Sequence, residues 1–104
     1  MLNKIIVVIL GALIAPSTFS QGTPDTELLD VGKSRYSQTC RVCHGFNMVT
    51  SGANVFDLRK FPLDQYDRFF RSVTEGKGLM PGFKTNLTEQ EIKALWAYIS
   101  TRGL

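Results

Sequence analysis

Histidine and cysteine are scarce in this sequence: 104 residues hold one histidine and two cysteines. That scarcity excludes a conventional zinc cage, which needs four nitrogen, sulfur or carboxylate ligands at suitable spacing. Long apolar runs are missing too. The longest covers residues 5–14, well short of the roughly 20 residues that cross a bilayer as a helix. Basic residues form no run interleaved with aromatics, so nucleic acid is not an expected partner. Strand-like alternation, internal repeats and low-complexity segments do not appear. What remains is an ordinary globular composition, 43% hydrophobic and 20% charged, for which disorder is not the default. The length allows one domain.

Asn3 and Lys4 precede the apolar stretch, and Pro16, Ser17, Thr18 and Ser20 follow it. A basic start, a short apolar segment and a small-residue exit are the layout of a secretory signal. Cleavage is expected after Ser20, with Thr18 and Ser20 as the small pair. That leaves residues 21–104 as the domain, exported to the periplasm with no membrane span. The competing reading is an uncleaved anchor, which the shortness of the run opposes. No cysteine lies near the exit to carry a lipid. Loss of Lys4 leaves 11 basic residues against 9 acidic ones, a charge of about +2. The remaining 84 residues bury a marginal core unless something staples it.

The few cysteines and the histidine fall together, as Cys40-Arg41-Val42-Cys43-His44. Two cysteines and one histidine scattered over the chain take this spacing in roughly one arrangement in several thousand, so the pattern carries information. It is the c-type haem attachment motif, C-x-x-C-H. Each thiol adds to one haem vinyl group, and the two intervening residues let both sulfurs reach one edge of the ring. His44 then lies under the iron as proximal ligand. A disulfide and a thioredoxin-type redox pair are the rival uses of the same cysteines. The second wants a βαβ context that the sequence does not offer.

A six-coordinate haem needs a second donor, and no second histidine exists. Of three methionines, Met1 leaves with the signal. Met48 follows His44 by four residues, on the proximal side, and cannot readily reach the far face. Met80 remains, in Gly76-Lys77-Gly78-Leu79-Met80-Pro81-Gly82-Phe83, a turn-rich loop able to carry a thioether over a flat ligand. The alternative is a methionine filling a core gap. A thioether favours reduced iron, raises the potential and closes the sixth position.

Helical periodicity predicts three helices. The first covers residues 25–39, with Leu28, Val31, Gly32, Tyr36 and Cys40 on one stripe. Gly32 costs about 1 kcal/mol there against alanine, and a close approach by another helix explains it. The second covers residues 64–75, with Asp64 as cap, Tyr66, Phe69, Phe70 and Val73 as apolar stripe, and Gly76 as stop. These aromatics are read as core and haem-pocket lining in preference to an electron relay. The third opens on Thr88-Glu89-Gln90-Glu91, a capping box, with Leu87 and Ile92 as staple. Ile92, Leu95, Trp96 and Ile99 follow, Tyr98 is placed to face Gly32 and Tyr36, and Gly103 is the expected stop. Residues 45–63 read as a long loop wrapping one haem edge. In it, Arg59 is a candidate for a haem propionate; a solvated surface arginine is the alternative.

The chain resembles the class I c-type cytochromes across the whole mature region. Gly32-x-x-x-Tyr36-x-x-x-Cys40-x-x-Cys43-His44, then Met80-Pro81, then Leu95-x-x-Tyr98-Ile99 follow that family's order. The resemblance implies an all-α fold wrapped around one covalent haem c, bound through Cys40 and Cys43, with His44 and Met80 as axial ligands. More narrowly, Cys43-His44-Gly45, Ser51-Gly52 and Asp57-Leu58-Arg59 look like cytochromes associated with quinoprotein alcohol dehydrogenases, whose corresponding arginine lies near the haem. Phe56 stands where that subgroup has proline. The implied function is a soluble, monomeric, non-enzymatic electron carrier, taking electrons from a quinoprotein dehydrogenase and passing them toward an oxidase. Two alternatives stay open: a haem subunit of a larger oxidoreductase, and a small-ligand sensor with a labile Met80.

Overall fold

The computed structural model describes residues 3–16, 24–50, 52 and 54–103. The expected cleavage pair, Thr18 and Ser20, lies outside the described residues, as do Met1 and Ser51. Residues 3–16 form no helix, and their apolar side chains are exposed, Ile5, Leu10 and Leu13 among them. Among the described residues, no helix is long and apolar enough to cross a membrane.

Helix α1 is Pro24–Arg35. Asp25 and Glu27 in its first turn, with Lys33 and Arg35 in its last, complement the helix dipole. The backbone then widens into a π-helical turn, Tyr36–Cys40. It tightens again into α2, Arg41–His44. The expected helix over 25–39 is therefore one continuous helical segment ending at His44. Its buried stripe also differs. Leu28 and Val31 are exposed, while Leu29, Gly32 and Tyr36 face the interior. The reason is the pitch of 3.6 residues: once Gly32 sits at a helix crossing, the face it defines runs through the residues three before and four after it.

Helix α3 is Tyr66–Glu75 and α4 is Glu89–Ser100. Asp64 does not cap α3. Gln65 occupies the cap position without a side-chain bond, and Asp64 lies in the preceding turn. Gly76 (φ 83) does end α3. The capping box of α4 is present: Thr88 Oγ1 accepts from the Glu91 amide and Glu91 Oε1 from the Thr88 amide, both at 3.1 Å. Thr88→Ala leaves one first-turn amide unpaired and is expected to cost about 1 kcal/mol in chemical denaturation. Leu87 and Ile92 are both buried. Helix α4 stops at Ser100, three residues before Gly103, because Thr101 caps it and Arg102 turns left-handed (φ 62).

The fold is organised by α1 crossing α4. A Cβ on Gly32 would overlap the Ala94 carbonyl oxygen and sit 2.5 Å from its carbon. Only glycine lets the two backbones meet there. Beside it, the rings of Tyr36 and Tyr98 are 5.0 Å apart, and an ion pair joins Arg35 to Glu91. Ile92, Ala94, Leu95, Tyr98 and Ile99 bury the inner face of α4. Phe61, Phe69 and Trp96 add a cluster of edge and tilted contacts with centroids 5.0–5.8 Å apart. Of the aromatics expected in the core, Phe69 is buried and Tyr66 and Phe70 pack half-buried against it, while Phe61 joins the cluster from the preceding loop. The described residues contain no strand, only an isolated antiparallel bridge between Lys77 and Met80.

Met48 is completely buried in this core. Its thioether is spent on packing, so Met48→Ala should leave the visible spectrum unchanged. It should nonetheless cost about 2–5 kcal/mol of stability. Absorption spectra and denaturation curves on one preparation separate the two effects.

Candidate haem site

Cys40, Cys43 and His44 arrive on one helical segment, the π-turn followed by α2. A π-turn inserts one extra residue and is often found at functional sites. Cys40 is half-buried and Cys43 exposed, and both are free thiols. Burial, reinforced by Cys43, pushes the Cys40 thiol up to about 11. A thioredoxin-type pair needs the opposite shift. Among the described residues, no cluster of three or more histidine, cysteine or acidic side chains could hold a metal ion.

His44 is held from behind. Its Nδ1 lies 3.2 Å from the carbonyl oxygen of Phe56. That partner can only accept, so the bond assigns the proton to Nδ1 and leaves the Nε2 lone pair for a metal. Burial lowers the His44 pKa, partly offset by the Phe56 carbonyl. The imidazole is thereby kept neutral, the form that ligates. Gly45 follows at φ 85, and a Cβ there would overlap the Val49 carbonyl. Its own carbonyl accepts from the Tyr36 hydroxyl at 2.6 Å. Tyr36 thus ties the helix crossing to the turn just after His44. Neither the Phe56 carbonyl nor this bond is legible in the sequence: a main-chain acceptor carries no residue signature, and periodicity places Tyr36 at the helix crossing without indicating a polar partner.

Met80 comes from a different part of the chain. It closes a tight turn with Lys77, in which each residue's amide donates to the other's carbonyl at 3.0 Å. The segment is held to α3 by Gly76 N–H to Ser72 at 2.9 Å and Phe83 N–H to Val73 at 2.8 Å. Met80 is half-buried, and like Cys40 it packs against the main apolar cluster. Arg59 is engaged with its neighbour. Its Nε and Nη2 donate to the two oxygens of Asp57, each at 3.0 Å. That bond holds the Asp57 carboxyl below its ordinary range.

The residues fit a c-type haem. Two free thiols stand three positions apart, followed by a neutral imidazole with Nδ1 already engaged. Around the motif and the Met80 turn, apolar side chains lack cover: Val42 is 87% exposed, Phe46 69% and Leu79 fully.

Comparison with known proteins agrees. The family profile of the cbb3-type cytochrome c oxidase subunit III matches residues 27–99. A cytochrome c6 of Nostoc sp. is 33% identical over 98 residues, covering 89% of this chain and 86% of its own. A cytochrome c6-like protein of the same organism is 35% identical over 72 residues, 65% of each chain. The quinohemoprotein alcohol dehydrogenase ADH IIB of Pseudomonas putida is 34% identical over 83 residues. That match takes 77% of this chain but only 12% of the dehydrogenase. No solved structure matches the chain with significance. Family profile, relatives and the helical fold of the described residues together place the chain in the class I c-type cytochromes, proteins with one covalently bound haem c.

Proposed function

We propose that this cytochrome is a single-electron carrier, not an enzyme, with Cys40 and Cys43 as the thioether residues and His44 and Met80 as axial ligands. The observation that carries this reading is the backbone of the Met80 turn, bonded in both directions to Lys77. A thioether presented by so fixed a turn stays in place, which opposes the sensor reading with a labile Met80. When bound, the haem supplies a one-electron iron couple that changes oxidation state without exchanging ligands. The chain's own part is to hold the imidazole neutral and aimed, to keep the thioether opposite, and to exclude water with apolar side chains. Arg59 is proposed to lie near a propionate while keeping Asp57 as its partner.

Residues 1–20 act in this reading as an export signal, and the carrier works in the periplasm as a soluble monomer. The donor is a quinoprotein alcohol dehydrogenase and the acceptor an oxidase. The match to part of a quinohemoprotein alcohol dehydrogenase supports the donor, and the oxidase-subunit profile supports the acceptor. The same two matches favour, as a second reading, a haem subunit resident in such a complex. Arg41, Lys77 and Lys84 are exposed on the motif and on the two sides of Met80, a layout suited to an acidic docking surface. Stopped-flow reduction by a quinoprotein alcohol dehydrogenase of the same organism tests the donor. The rate should fall modestly as salt rises past the range where the Debye length is about 8 Å. Indifference to salt removes the electrostatic docking, and no reduction at all removes the donor.

A further inference from the structure

Arg102 and Gly103 fold back onto both segments that border His44. Arg102 follows α4 in left-handed backbone (φ 62), uncommon for a residue with a side chain. Its Nη1 donates to the carbonyl oxygen of Arg59. Gly103 presses on the other segment, where a Cβ would stand 2.7 Å from the Asn47 carbonyl oxygen. Residues 45–49 directly follow His44, and residues 56–60 supply the carbonyl that His44 Nδ1 needs.

The stretch from Phe56 to Phe61 behaves as one piece. Asp57 Oδ1 accepts from the Arg59 amide and Nε, and Oδ2 accepts from Nη2. The Leu58–Lys60 turn closes with Lys60 N–H to Asp57 at 3.0 Å and Phe61 N–H to Leu58 at 3.2 Å. Phe56 stands edge-on to Phe61, centroids 6.2 Å apart. Yet Phe56, Arg59 and Lys60 are exposed. Burial alone does not hold this piece against His44 at those positions.

We propose that Arg102 is a positioning residue for the proximal ligand. By grasping the Arg59 carbonyl it seats the Asp57 and Arg59 turn, and so the Phe56 carbonyl, against His44 Nδ1. The inference rests on His44 being the proximal ligand. A firm bond from Nδ1 makes the imidazole more basic, which favours ferric iron and lowers the potential. Loosening the bond raises it. Deleting a nearby cation, taken alone, acts the other way, because it favours the more positive oxidised centre. The two effects therefore differ in sign.

The test uses the holo-cytochrome and reads the His44 Nδ1–H exchange rate by NMR in the reduced state, together with the reduction potential. Arg102→Ala is expected to speed exchange about three- to tenfold, the factor that loss of one hydrogen bond carries, and to raise the potential. Arg102→Gln, a milder change that lacks the reach to the Arg59 carbonyl, should act in the same direction and serves if the alanine variant does not accumulate. Lys60→Ala removes a neighbouring cation and should leave exchange unchanged, with the potential the same or lower. Exchange within twofold of wild type in the Arg102 variants, or a potential falling as in Lys60→Ala, overturns the proposal. Ligation in the wild-type spectrum is read separately. Absence of imidazole ligation there overturns the role of His44, whereas normal ligation with unmoved exchange overturns only that of Arg102.

Discussion

Met80→Ala should produce a cytochrome that keeps its covalent haem but loses its distal ligand. The thioether is the soft donor that stabilises reduced iron, so its removal lowers the potential and admits small ligands to the sixth position. The long-wavelength absorption of ferric iron–thioether ligation should disappear. The fold should survive. Met80 is only half-buried, and the turn is held by main-chain bonds that alanine keeps. A cost near the bottom of the roughly 2–5 kcal/mol range for buried methionine truncation is expected. Redox titration and carbon monoxide binding measure the two consequences. An unchanged potential and no new affinity for ligands remove Met80 from the haem.

The second large effect lies far from the iron. Gly32→Val places branched atoms where even a Cβ overlaps the Ala94 carbonyl. The obstacle is backbone in the middle of α4, so it has no rotamer by which to yield. Ordinary overpacking costs about 1–3 kcal/mol. Here the loss should exceed that and approach the roughly 4–5 kcal/mol that marks exceptional substitutions. On a domain of this size, such a loss consumes much of the total stability. The expected result is a strongly reduced yield of holo-protein, with the residual fraction melting far below wild type. A variant with near wild-type yield and melting temperature shows that the two helices separate more easily than their packing implies. Ala94→Gly is no remedy, because the clash is with the main chain.

The features legible in the sequence were those encoded in the type and spacing of nearby residues. The haem motif depends on rare side chains at short fixed intervals, which bring both sulfurs to one edge of the ring. The capping box of α4 is likewise a four-residue pattern whose two bonds are local. The Gly32 crossing was legible because a helix-interior glycine has a cost that needs a reason. Local pattern failed where boundaries depend on the turn before a helix, as at Asp64, or on how a stripe aligns with a partner, as at Leu28 and Val31.

Met48, Phe56 and Arg102 show the other side. By sequence, Met48 was a methionine too near His44 to be a ligand; in the fold it is among the most buried side chains. Phe56 mattered for a carbonyl that every residue possesses, and Arg102 for a bond to a main chain 43 residues away. The sequence by itself determined the cofactor class, the candidate ligands and the helices at either end, because chemistry within a few residues decides those. Only the tertiary structure decided what holds the candidate ligands in place. The groups that do so are mostly main-chain atoms, alike along the whole chain, and they acquire a role when distant segments are brought within about 3 Å of one another.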